Sequence, residues 1–243
     1  HDLLQADALL GDGWTADHLP AKLGCPVRRI PKGVDSVLFT PEGDSHRAGL
    51  GLQGKRVVLA VGRLVPIKNM RLLIDAWPAV LATVPEAHLV IVGEGAERAG
   101  LESVAAAAGV AGAVTFGGYV AQADTPSWYR AADVFALSSD FDNSPNVVLE
   151  AMASGLPVVS TDVGGVAGFV GPESGRLVPA RDAAAMAGAL TSLLQDSATC
   201  RRMGETNRRL AEERFSWRAS ARALLDVYED VVRNRARRQK VPA

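Results

Sequence analysis

VVLAVGRLVPIKNMRLLIDAWPAVLATV at residues 57–84, followed by LVIV at 89–92, decides the fold. Val57–Val61 is a short apolar run rich in valine and reads as a strand. Gly62 opens a loop, and a helix is expected from about Asn69 to Val84. Leu89–Val92 is the next strand, with a helix from about Glu97 to Ala108. The pattern then repeats. Val114–Phe116, Val134–Leu137, Pro157–Thr161 and Arg176–Val178 read as strands. Helices are expected at about Ser127–Ala132, Asn146–Ser154, Ala183–Gln195, Ala198–Arg214 and Trp217–Arg237. Short strands alternating with helices predict an α/β fold, a Rossmann-like doubly wound parallel sheet. About six strands fit one such domain.

Outward from that core the text changes. Asp7–Leu10 and Arg28–Ile30 read as strands around a helix at Ala16–Leu23, and PKGVDSVLFTPEGD at 31–44 reads as a connector. Residues 1–30 are therefore expected to be the remnant of a preceding domain, 31–50 a hinge, 51–228 the main domain and 229–243 a basic tail. The chain opens at His1 without a methionine, which suggests a fragment. Arg233–Lys240 carries five basic residues among eight, a solvated helix end or, as the minority reading, a patch for peripheral membrane contact.

Composition excludes several classes. The net charge of −1 gives no footprint for nucleic acid. The two cysteines, Cys25 and Cys200, have no metal-ligand spacing and suit a reducing, cytoplasmic setting. No apolar run reaches the roughly 18 residues of a membrane span.

Three constellations fall at predicted strand ends, where open α/β sheets bind ligands. In the first, Gly62 permits a turn, and Arg63 and Lys68 precede a helix. A guanidinium fork and an ammonium near a helix N-terminus suit a diphosphate; otherwise they are solvated loop cations. The second runs from Asp140 to Glu150. Asn143, Ser144, Asn146 and Val147 lie where backbone N–H groups and side-chain amides can meet phosphate or sugar hydroxyls. Asp142 and Glu150, eight residues apart, can hold a ribose and a transferring sugar, or else Asp142 caps the helix and Glu150 is solvated. The third is Gly93-Glu94-Gly95. It starts a dinucleotide fingerprint but has Arg98 at the third glycine position, which argues against a dehydrogenase.

Taken in order, several motifs resemble family 4 of the glycosyltransferases. They are IPKGVD at 30–35, VGRL at 61–64 with Lys68, LVIVGEG at 89–95, YRAADV at 129–134, EAMASGLPVV at 150–159, TDVGG at 161–165, GRLVP at 175–179 and ERFSW at 213–217. The resemblance runs from about Asp7 to Tyr228. It implies the C-terminal, nucleotide-sugar-binding half of a two-domain GT-B enzyme that retains anomeric configuration. It implies that Arg63 and Lys68 bind the donor diphosphate, that Glu150 binds the ribose, and that Asp142 lies near the transferred sugar. It implies backbone amides of Asn143–Val147 on sugar and phosphate, and Gly118, Tyr119 and Val120, with Gly117, beside the base. Gly62 and Gly93 would leave room for the nucleotide. It implies no metal and no cofactor beyond a UDP-, GDP- or ADP-sugar, and an acceptor glycan, lipid or small molecule bound by the N-terminal domain.

Departures from the family pattern fall at three places. Asp142 stands where Glu is usual, and Asn143-Ser144-Pro145 where Gly-Phe-Gly or Gly-Phe-Pro is usual. Lys32 stands where the hinge motif commonly has Asn, a change expected to matter little. The donor sugar is therefore left open. A chain with one wall of the cleft is expected to bind donor and to turn over little alone. The alternative is a stand-alone nucleotide-sugar-binding module that pairs with a separate N-terminal half.

Overall fold

The computed structural model describes residues 8–23 and 27–239. At its start, β1 (Leu9–Gly11) and β2 (Val27–Arg29) pair in parallel around α1 (Gly13–Leu23), as a sheet of their own. Asp7 and Cys25 lie outside the described residues. The main sheet holds β3 (Arg56–Val61), β4 (Ala87–Val92), β5 (Val114–Gly118), β6 (Val134–Leu137), β7 (Val158–Thr161) and β8 (Gly175–Val178). Every neighbouring pair is parallel, in the order β5-β4-β3-β6-β7-β8. The sheet grows from β3 to one edge, then restarts at β6 beside β3. This is the Rossmann order, and the reversal opens a crevice beyond the carboxyl ends of β3 and β6.

The four inner strands, β4, β3, β6 and β7, are mostly apolar because both faces are covered. Val58 and Ala60 of β3 enter one core, with Leu73, Ile74 and Trp77 of α2 (Arg71–Thr83), Leu101 of α3 (Arg98–Ala107), and Met186 and Leu190 of α6 (Ala183–Gln195). Val57 and Leu59 enter the other, with Tyr129 of α4 (Thr125–Tyr129), Leu149 and Met152 of α5 (Asn146–Ala153), and Ala211 of α7 (Ser197–Glu213). Asp182 and Asp196 cap α6 and α7, accepting from Ala185 N at 2.8 Å and Thr199 N at 2.9 Å, so these helices start where the sequence says. α4 starts and stops earlier than expected. Pro126 fits its first turn, where a missing N–H is not needed.

The segment expected as a hinge packs on the main sheet and its helices. Val34 N donates to Phe215 O at 2.7 Å, and Phe39 is 1 % exposed in the second core. Arg208 donates to the carbonyls of Ser36, Phe39 and Ala153. Asp35, one of the residues that suggested a loose connector, instead holds a tight turn by accepting from Val37 N and Leu38 N. α8 (Trp217–Gln239) runs unbroken through the boundary expected at 228. Among the described residues no helix is long and apolar enough to cross a membrane.

Candidate functional site

Loops at the carboxyl ends of β3, β4, β5 and β6 build the crevice. Gly62 N donates to Val92 O at 2.9 Å and Gly93 N to Gly118 O at 2.8 Å, which ties three strand ends together. Gly93 sits at φ 138°, and a Cβ there would meet Gly62 O at 1.9 Å. Only glycine permits that approach. Arg63 follows, exposed, its side chain making no hydrogen bond or ion pair among the described residues. Lys68 ends a 3-10 turn over Pro66–Lys68 and forms an ion pair with Asp142 Oδ2. Ser139 Oγ donates to the same oxygen at 3.3 Å. The two side chains are only 20 % and 14 % exposed, so Asp142 anchors the Lys68 ammonium and does not cap α5.

No side chain caps α5, whose first turn begins at exposed Asn146. That leaves backbone N–H groups and the positive end of the helix dipole at the crevice. Glu150, one turn further, is largely buried. Tyr129 Oη donates to its Oε2 at 2.7 Å. Burial pushes the Glu150 carboxyl above its usual range, against the Tyr129 hydrogen bond. Burial and then the Glu150 charge push the Tyr129 phenol well up. Val147 packs partly buried against the second core. Beside β5, Gly118 takes φ 71°, Tyr119 is exposed, and Val120 turns inward to the second core.

The loop after Asp142 is held from the N-terminal segment. Asn143 Oδ1 accepts from Thr15 N at 3.0 Å and Thr15 Oγ1 at 2.9 Å, and its Nδ2 donates to Asp12 Oδ1 at 3.1 Å. Asn143 thus caps α1 from 128 residues away. This corrects the expectation that the Asn143 side-chain amide is available to phosphate or sugar, and leaves its backbone N–H aside; α1 needs acceptors for its first N–H groups and takes them here. Lys32 is corrected too, since its Nζ donates to Ser144 O at 2.6 Å and pins the same loop. Ser144 Oγ is buried and has no hydrogen-bond partner among the described residues. Opposite, Gly164 at φ 55° lets the chain pass so close that a Cβ would meet Asp142 O at 1.9 Å.

The family described as "Glycosyl transferases group 1" matches residues 55–196, which run from β3 through β8. The chain belongs to that family. D-inositol 3-phosphate glycosyltransferase of Acidothermus cellulolyticus is 36% identical over 249 aligned positions, covering 95% of this chain and 54% of that protein. GDP-mannose-dependent alpha-(1-6)-phosphatidylinositol monomannoside mannosyltransferase of Mycolicibacterium smegmatis is 32% identical over 212, covering 83% and 56%. The chain spans about half the length of these curated relatives. Sucrose-phosphate synthase from Thermosynechococcus elongatus superimposes with a TM-score of 0.82 at 31% identity, covering 94% of this chain and 59% of that one. The helix-flanked parallel sheet is that of GT-B glycosyltransferases.

In this group 1 chain, the fold pairs Lys68 with Asp142, and Asn143 and Ser144 follow in the loop that leads into α5. Gly62, Gly93 and Gly118 meet at neighbouring strand ends, with Arg63 leading away from them. Glu150 stands on the covered side of α5. Sequence reasoning missed Tyr129 as the partner of Glu150, although the tyrosine lies in a motif it used. It also missed Asp12 and Thr15, and it gave Asp140 no role although the constellation began there. Among the described residues, no three His, Cys, Asp or Glu side chains gather in a way that could hold a metal.

Proposed function

We propose that this chain is the donor-binding half of a retaining glycosyltransferase that moves a hexose from a nucleoside-diphosphate sugar to a glycan, lipid or small-molecule acceptor. One observation carries the reading. At the β3–β6 reversal a lysine, an acid and an uncapped helix N-terminus converge, with an unengaged arginine nearby. Arg63 and Lys68 would hold the diphosphate, and the first N–H groups of α5 would add donors. The Glu150 carboxylate would accept from the ribose hydroxyls. Relatives named for GDP-mannose and inositol phosphate glycosyl transfer support a nucleotide-sugar donor without choosing its base.

The chemistry follows from charge. The bond from the sugar C1 to the β-phosphate oxygen breaks, and negative charge grows on the departing diphosphate. Arg63, Lys68 and the helix N-terminus stabilise that charge in place, with no reorganisation at the moment of reaction. The acceptor oxygen bonds C1 on the face the phosphate leaves, and its proton passes to a phosphate oxygen. Configuration is retained, no metal is required, and Asp142 needs no covalent role. Before donor binds, Asp142 neutralises Lys68; a diphosphate would take over that ammonium.

Chemical-shift perturbation on labelled chain tests the placement. Adding a nucleoside diphosphate should move the amides of residues 62–69 and 142–148 most. Shifts confined to the opposite end of the sheet would contradict it.

A further inference from the structure

Only two non-glycine residues among those described adopt left-handed backbone, Asn69 at φ 42° and Arg181 at φ 61°. Such outliers persist where their surroundings require them. Both side chains end on one carboxylate. Asn69 Nδ2 donates to Asp140 Oδ1 at 2.9 Å, and Arg181 Nε and Nη2 donate to Asp140 Oδ2 at 3.0 and 2.8 Å. The backbone adds to the clamp: Asp140 N donates to Ile67 O at 2.8 Å, and Ser138 Oγ to Lys68 O at 3.0 Å. Residues 67, 68 and 69 are each tied to the 138–140 loop, and Lys68 sits in the middle. Arg181 brings in the loop after β8, so Asp140 joins the ends of β3, β6 and β8. The Arg181 guanidinium first, then the Asn69 amide, hold the Asp140 carboxyl below its usual range, charged at neutral pH.

We infer that Asp140 is a positioning residue for the donor diphosphate, setting where Lys68 stands relative to Asp142 and the α5 N-terminus. This rests on the donor-site reading above. Asp140 does not touch the diphosphate. It acts through Lys68, whose ammonium is already committed to Asp142 and keeps its place only if its turn is fixed. Asn69 and Arg181 stay non-glycine because each supplies the side chain that fixes it.

The test uses glycine. Asn69→Gly and Arg181→Gly keep the left-handed backbone open and remove the bonds to Asp140, at the cost of a freer backbone there. Asp140→Asn keeps an acceptor for Asn69 and drops the charge facing Arg181. Binding of UDP, GDP and ADP is titrated for each variant, with thermal melts to show folding. Asn69→Gly and Asp140→Asn should each weaken the nucleoside diphosphate that binds wild type by about fivefold. In a Lys68→Ala background the same substitutions should change affinity by less than roughly twofold, the coupling expected when one residue acts through another. Folded variants that bind like wild type would overturn the positioning role alone, as would equal losses with and without Lys68. A wild-type chain that binds none of the three would overturn the donor reading and this inference together.

Discussion

Lys68 is the residue on which the site turns, because its charge is shared between a fixed partner and an expected ligand. Its ion pair with Asp142 is mostly buried, so solvent screens it less than a surface pair. A diphosphate must compete with that carboxylate and approach it. Asp142→Asn should therefore tighten nucleoside-diphosphate binding several-fold, by releasing the ammonium and removing a like charge. Weaker or unchanged binding by titration calorimetry would contradict competition between Asp142 and a diphosphate for the Lys68 ammonium. Glu150 gives a second prediction, with its sign set by burial. The folded carboxyl holds its proton more readily than the unfolded one, so stability present at acid pH is lost as pH rises through the raised value. Glu150→Gln should lose nucleotide affinity yet gain melting temperature over wild type, and the gain should widen from weakly acid to neutral pH. A gain that is constant with pH would show that Glu150 ionises freely in the fold.

At the scale of elements, the crevice depends on backbones passing at near-contact. The loop bearing Asp142 is pressed between Gly164 and, through Asn143, the first turn of α1. Gly164→Ala puts a methyl into Asp142 O and imposes φ 55° on an alanine, a cost of about 2 kcal/mol or more. A lower melting temperature with weaker nucleotide binding is expected; a wild-type melt would mean the loop yields freely. The four inner strands were readable because each is buried on both faces and therefore spelled mostly in apolar residues. The grip of Lys32 on Ser144 and of Thr15 on Asn143 spans 112 and 128 residues, and no local pattern encodes such pairs. Arg181 was illegible for another reason, since a left-handed turn is recognised by glycine and here it is built on arginine.

At the scale of the whole molecule, the described residues form one six-stranded sheet and one two-stranded piece whose neighbouring residues reach the 142–144 loop through Asn143. Its relatives run to about twice its length. Transfer needs donor and acceptor held together in a site closed to water. The purified chain should bind nucleotide but transfer no sugar from labelled UDP-, GDP- or ADP-hexoses to added acceptors. Full turnover by the chain alone would contradict its role as a half. The most direct test of the donor site is calorimetric titration of the folded chain with UDP, GDP and ADP, beside Arg63→Ala and Lys68→Ala. The account predicts that one nucleotide binds selectively, and that each substitution weakens it by about tenfold or more. Equal binding by wild type and both variants, or no binding by a folded wild-type chain, would contradict it.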